Sequence, residues 1–461
     1  MRMKKKGKTL IVVIVQWLRK RKTTINSVLI TVFTSLLLNT ISDSTETFMN
    51  HPMRVLKTIF LLDSLSGILT WGAIVLLLMI NIAYCVMHKA VLKESLRDEF
   101  VEIMKNYTSD SLSEAVQSGC LSWGEGKTVL ISNDIIYGWK ASNVMVDNYD
   151  VNMYVFASEK EAGEYYGSKS YYPDQEGFLN YKRSEEFKHV IQRGNNLPRV
   201  MLKSCETNYD KNNRKLLLSL GRTEWSQTSY IWDWFGKKKG TEVNSNPLMN
   251  EYAMGISAGK YKEHYLPNSL CMHLIIETLD NKIIKSRISM NKNNDNPGTW
   301  AVTLGEQLAH TDFEDGNNFY HCFMLRWLKR AFEEEYKMDE NLYTDIVDQD
   351  SFRVLSVDFE SDRYNFALLC TVRMNYSYEV FKKKIQPLLS IDEAIELEKV
   401  EISEIPSVLS TYKDIEARKE YHPSTYLRLL VYYMHKLGFG RAQNKIVEYM
   451  LKNKAETKND G

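Results

Sequence analysis

The chain has 461 residues, with 59 basic and 58 acidic side chains and a net charge of +1. That balance provides no basic field of the kind nucleic-acid polymers require. The six cysteines (Cys85, Cys120, Cys205, Cys271, Cys322 and Cys370) contain no CxxC pair, which argues against a zinc site or a disulfide framework and suits a reducing compartment.

Near the start, residues 23–42 run for 20 positions without a charge and residues 64–87 for 24. At ~1.5 Å of helix per residue, either run crosses a hydrocarbon layer of about 30 Å. The spacing predicts a two-helix transmembrane hairpin, with spans at about 24–42 and 64–87 inside a first segment of residues 1–95. Arg2, Lys4, Lys5, Lys6, Lys8, Arg19, Lys20, Arg21 and Lys22 precede the first span, and Lys89, Lys93 and Arg97 follow the second. Only Arg54 and Lys57 lie between them. This bias places both termini in the cytoplasm and sets the basic cluster against lipid head groups. A cleaved leader would carry a shorter apolar core and a small-residue cleavage site. Ser27, Thr31, Ser35 and Asn39 recur at i+4 along one helix face. That face serves self-association or a pore wall, or simply packs on the second span.

A middle region is expected over 96–245. A charged helical stalk covers 88–110, Val129–Ile131 is a short apolar run, and Val151, Met153 and Val155 alternate as in a half-buried strand. Gly124–Thr128 has the look of a phosphate loop but lacks the first glycine of GxxxxGK[ST]. Trp225, Tyr230, Trp232 and Trp234 stand beside Lys237–Lys239. Such a cluster stacks a nucleobase, or else forms a strand edge or domain contact. Thr241–Pro247 reads as a linker.

The remaining segment, 246–461, predicts a hairpin (Leu270–Thr278 and Ile283–Ile288), a helix over about 319–336, and strands at 352–359 and 366–373. Helices are predicted near 377–385 and 391–397, a short strand at 400–405, and closing helices at 424–437 and 443–451, the former with Ser424 as N-cap.

Within this segment, Gly316, Cys322 and Arg330-Ala331-Phe332-Glu333-Glu334-Glu335-Tyr336-Lys337-Met338 keep the spacing of a GxxxxxE–x7–REUxEExGU box, U being apolar. Over residues 250–405 the chain thus resembles the Nudix superfamily. Cys322 and Ala331 stand where that pattern has glutamates, and Lys337 where it has glycine. The resemblance implies an α/β (α+β) region ending in a Nudix-like α/β/α sandwich, and a ligand site drawn from Arg330, Glu334, Glu335, Glu306 and Trp300, to which the aromatic cluster adds Trp225. It also implies a metal held by Glu334 and Glu335, with Glu306 as a third carboxylate if the fold brings it near. Ala331 takes one ligand away, so Mg²⁺, which wants near-octahedral oxygen ligands, would be held loosely. No cofactor is then required, and impaired hydrolysis is expected.

The domain order resembles the two-transmembrane Nudix effectors of bacterial cyclic-oligonucleotide antiphage systems (CBASS). That resemblance implies an inner-membrane protein that binds a cyclic nucleotide second messenger. Its spans would then oligomerise among membrane lipids and breach the membrane, causing abortive infection. The alternatives are a membrane-anchored hydrolase of nucleoside diphosphate derivatives and a non-enzymatic membrane scaffold.

Overall fold

The computed structural model describes residues 128–158, 173–188 (186 excepted), 196–210, 213–238, 266–290, 296–313, 323–360, 364–389, 394–411 and 419–456 (423 excepted), together with 416 and, upstream, 71, 72, 75, 79, 82, 86 and 93. The first apolar run, most of the second and the expected linker lie outside them. Trp71, Gly72, Val75, Met79, Ile82, Val86 and Lys93 are helical. Among the described residues no helix is long and apolar enough to cross a membrane.

In chain order come β1 (Thr128–Asn133), β2 (Trp139–Lys140), β3 (Val144–Met153), α1 (Gln175–Lys182), β4 (Pro198–Asp210), β5 (Asn213–Glu224) and α2 (Trp225–Lys238). Then follow β6 (Leu270–Glu277), β7 (Lys282–Ile288), β8 (Trp300–Ala301), β9 (Leu304–Gln307), α3 (Phe323–Tyr336) and α4 (Glu340–Ile346). The chain closes with β10 (Val347–Glu360), β11 (Asn365–Met374), α5 (Tyr378–Ile385), β12 (Ala394–Glu401), α6 (Ile405–Ser410), α7 (Thr425–Leu437) and α8 (Phe439–Glu456). A large mixed sheet runs β1-β10-β11-β6-β7-β12, with β2 on β10, β8 on β7 and β9 on β6, and a small sheet runs β3-β5-β4.

Every residue of β6 is buried, as expected of a strand with helices over both faces of its sheet. The β6–β7 turn is closed by Thr278 N–H donating to the Lys282 carbonyl (2.8 Å). Asn281 sits there at φ +57°, a left-handed conformation that Asn tolerates better than most residues. Alternation along the strands separates two apolar layers. Leu270, Met272, Leu274, Leu368 and Val372 pack with α3 through Trp327, Leu328, Ala331 and Phe332. Ile275, Leu355 and Leu369 pack with α7 through Leu429, Leu430 and Tyr433. The sheet therefore lies between helices, an α/β/α arrangement.

Two expectations are corrected. The segment read as a helix at 391–397 is strand where described, because β12 pairs antiparallel with β7 from Ala394 onward. Trp225 opens a helix rather than a strand edge. Strands from both sides of the expected 245/246 boundary share the large sheet. Both β1 and β2 join β10, and the contacts make 100–450 one compact unit. The small sheet is stitched to the large one by Val200 N–H donating to the Leu308 carbonyl (3.1 Å). The Asn268 side chain adds a pair of 3.0 Å bonds to the Leu202 backbone.

Candidate functional site

The α3 helix presents a buried stripe to the sheet and turns Arg330 toward β9 and the short 3-10 helix His310–Phe313. Arg330 Nε and Nη2 reach Asp312 Oδ1 and Oδ2, each at 2.9 Å. Nη1 donates to Glu306 Oε1 (2.9 Å) and Glu334 Oε1 (3.0 Å), and Nη2 also donates to the Gln307 carbonyl (2.5 Å). Those contacts use all five N–H groups that a guanidinium offers. Burial works against the charge, but the hydrogen bonds and charges of Asp312 and Glu306 outweigh it, so Arg330 is held protonated more firmly than an ordinary arginine.

The carboxylates are engaged in turn. Glu306 Oε1 also accepts the Gln307 backbone N–H (2.8 Å), and Asp312 Oδ2 accepts that of Ala309 (2.9 Å). Burial pushes the Glu306 carboxyl up, Arg330 pulls it down and Glu334 pushes it up again. The fold thus does bring Glu306 to Glu334, as the missing third carboxylate would require, but the group they meet around is a guanidinium. Arg330 spends its donors on these internal partners.

The neighbouring box positions point elsewhere. Ala331 is fully buried in the core with Trp327 and Phe332, so the helix turns that position inward. Glu335 is half-buried, and its charge bears on the Tyr336 hydroxyl. Gly316 and Cys322 lie outside the described residues. Trp300 is on β8, its ring covered by Lys285 Nζ at 4.3 Å. Trp225 stacks edge-on against Trp232 at 5.0 Å on α2. Neither tryptophan makes a described contact with the Arg330 cluster.

These donors do not fit a divalent cation in the manner the box implies. Position 331 offers no ligand and faces the core. Glu306, Asp312 and Glu334 each direct oxygen at Arg330. Among the described residues no group of three or more His, Cys, Asp or Glu side chains is arranged to hold a metal.

On the other face of the sheet lies a polar cluster that sequence reading missed. Arg428 of α7 donates to Thr303 Oγ1 (2.6 Å), His273 Nδ1 (2.8 Å) and Glu360 Oε1 (3.1 Å). Asn365 Nδ2 donates to Cys271 Sγ (3.4 Å) and Glu360 Oε2 (3.3 Å). Register sets Asp358 beside Ala367, Ala367 beside Cys271 and Cys271 beside Gln307 in one transverse row. Both Asp358 carboxylate oxygens, Ser356 Oγ and Asn365 Oδ1 are buried without a hydrogen-bond partner among the described residues. Burial pushes the Asp358 carboxyl up to about 7, against the pull of Ser356 and Arg428. Polar residues at alternate positions of an otherwise apolar strand (Ser356, Asp358, Glu360) were the available signal.

No family model matches the chain, and no curated protein matches it. Similar solved structures include DR0079 from Deinococcus radiodurans (12% identity, TM-score 0.21, covering 33% of this chain and 83% of that one). Tm1382, a proposed Nudix hydrolase, is 14% identical with TM-score 0.23, covering 36% and 70%. A bifunctional NMN adenylyltransferase/ADP ribose pyrophosphatase from Francisella tularensis is 13% identical with TM-score 0.22, covering 46% of this chain and 53% of that one. Nudix-like folds occur among its structural neighbours. At this level the likeness is partial and assigns no residue a role.

Proposed function

We propose that this chain is a nucleotide receptor rather than a hydrolase, a Nudix-like body that binds a nucleotide without cleaving it. The observation that carries the reading is the Arg330 cluster. An internal guanidinium takes up the carboxylates that would otherwise gather a metal, and the third ligand position is an alanine in the core. Hydrolysis of a diphosphate would need that charge in the form of a cation that polarises the phosphate and activates water. A guanidinium with its donors spent does neither.

The apolar runs at 23–42 and 64–87 support the finer reading. On it the receptor is anchored in the bacterial inner membrane with both termini in the cytoplasm. Its signal is a cyclic nucleotide, and its output is self-association of the spans and loss of the membrane barrier, in the manner of CBASS effectors. A ligand drives such a change only through different affinities for the two states.

The test is the oligomeric state of the full chain in detergent, measured with and without a panel of cyclic di- and trinucleotides. A ligand-dependent increase in mass is expected; none across the panel sinks the effector reading. The opposing hydrolase reading draws on the approach of Glu306 to Glu334. It predicts Mg²⁺-dependent release of nucleoside monophosphate, abolished by Glu334→Gln with Glu335→Gln.

A further inference from the structure

We propose that Arg199, brought in from the small sheet, reads the phosphate of a nucleotide bound where residue 309, just past β9, meets the small sheet. This assignment rests on the receptor reading and names the residue that would do the recognising.

Backbone pairing fixes the location. β4 sets Arg199 opposite Thr223 of β5, and an antiparallel bridge joins Arg199 to Ala309, just past β9. Glu306 and Gln307 are the neighbouring residues on that strand. Register puts Gln307 of that strand beside Cys271, and the charge of Arg199 bears weakly on the Glu306 carboxyl and the Cys271 thiol.

Arg199 is one of two described arginines, with Arg222, that keep a buried Nε without an acceptor among the described residues. Four other arginines of this body are ion-paired: Arg214 with Asp134, Arg330 with Glu306, Arg373 with Glu277 and Arg428 with Glu360. A buried donor without an acceptor is costly and calls for a missing partner. For a guanidinium that partner is an oxyanion, which phosphate matches in a two-pronged geometry.

The carboxylates alongside do not repel such a ligand as bare charges would, because Glu306 is paired with Arg330 at 2.9 Å and Glu360 with Arg428 at 3.1 Å. Both Asp358 oxygens in the transverse row through Cys271, and Asn365 Oδ1 two residues along β11 from Ala367, are unmet groups of the opposite kind. From Gln307 to Asp358 is three strand spacings, ~14 Å. Phosphate at one end and N–H donors at the other describe a nucleotide with a base carrying ring or exocyclic N–H groups. Inorganic phosphate would satisfy only half of it.

The experiment is titration calorimetry on the full chain in detergent, with cyclic di- and trinucleotides, ADP and inorganic pyrophosphate as probes. For the tightest nucleotide, Arg199→Ala should weaken binding about tenfold or more, and Arg199→Lys by less, since an ammonium keeps the charge and loses the fork. Arg222→Ala should leave affinity unchanged. Arg222 also has a buried, unpartnered Nε, but strand alternation puts it on the opposite face of the small sheet. If Arg199→Ala melts early, Arg199→Gln and Arg199→Lys carry the comparison. Nucleotide binding with wild-type affinity in the Arg199 variants overturns this assignment and leaves the receptor reading standing. Equal loss in Arg222→Ala overturns it too, reducing the effect to net charge. Failure of the wild type to bind any probe overturns the receptor reading itself.

Discussion

Arg330 on the α3 face of the large sheet and Arg428 on the α7 face are both largely buried, with side-chain exposures of 16% and 8%. Their surroundings are finished differently. Around Arg330 every N–H has an acceptor, and its carboxylates are further tied to backbone N–H groups. Around Arg428, Glu360 is paired, but next to it Asp358 and Asn365 keep oxygens that nothing described satisfies. A buried polar network is costly when only partly satisfied and specifies structure when complete. The α3 cluster is complete among the described residues, and the α7 cluster is the one left with unmet oxygens. The box motif, which drew attention to Arg330, marks the closed side.

The largest effect should come from opening the closed side. Arg330→Met leaves Glu306 and Asp312 buried without their cation, and breaking such a set from one partner costs about 3–5 kcal/mol. The urea midpoint of the full chain should fall accordingly, and any nucleotide phosphate at Arg199 should bind more weakly beside an unpaired Glu306. A midpoint near wild type would show that Arg330 is as dispensable as a surface charge.

How far the sequence revealed this follows from where each signal sits. The β6–β7 hairpin and the core of α3 were legible because their apolar periods are uninterrupted over one local element. β12 was misread because Ala394, Leu397 and Val400 are its buried positions, spaced by threes. A register shift between Ala394 and Glu396 breaks the strand alternation there, so a helical period appears. Glu306 was found through the lead-in to the box. Asp312, which binds Arg330 with both oxygens, was passed over inside an acidic stretch 18 residues upstream. Arg199 carries no local signal at all. Its significance arises only when β4 docks against residues 308 and 309, a contact made across more than a hundred positions of chain.

Ala331→Glu asks whether the box is merely missing a residue. If so, the substitution should restore metal-dependent hydrolysis. The helix instead points position 331 into the core, where a longer side chain is overpacked and its carboxyl desolvated. The expected result is a loss of about 2–4 kcal/mol and no hydrolysis with Mg²⁺. Turnover in this variant would reverse the contrast between the two faces.

Asp358→Asn probes the open side through pH. With its pKa raised from 3.8 to about 7, folded Asp358 keeps a proton that the unfolded chain has already released. The folded state binds more protons across that interval, so its stability drops as pH climbs from 3.8 to about 7 and is level above. Asparagine does not titrate. The variant should match wild type near pH 4 and exceed it by up to about 4 kcal/mol at pH 8. Thermal melts at the two pH values check this, and a gain that is the same at both would remove Asp358 titration from the account.

Glu334→Gln should have the smallest effect, and for that reason it separates the two interpretations of α3 most cleanly. Glu334 is 54% exposed and meets Arg330 one helical turn away, a pairing worth about 0.2–1 kcal/mol at a surface. Arg330 would keep Asp312, Glu306 and the Gln307 carbonyl, so the cluster survives. The Glu334 charge is one of the influences that push the Glu306 carboxyl up, so its removal should also let Glu306 ionise at lower pH, which titration followed by carboxyl NMR can read. A metal ligand behaves otherwise, because its loss spares the melting point and abolishes turnover. Small changes in stability and in Glu306 titration, with nucleotide binding intact, are what a guanidinium-centred cluster predicts.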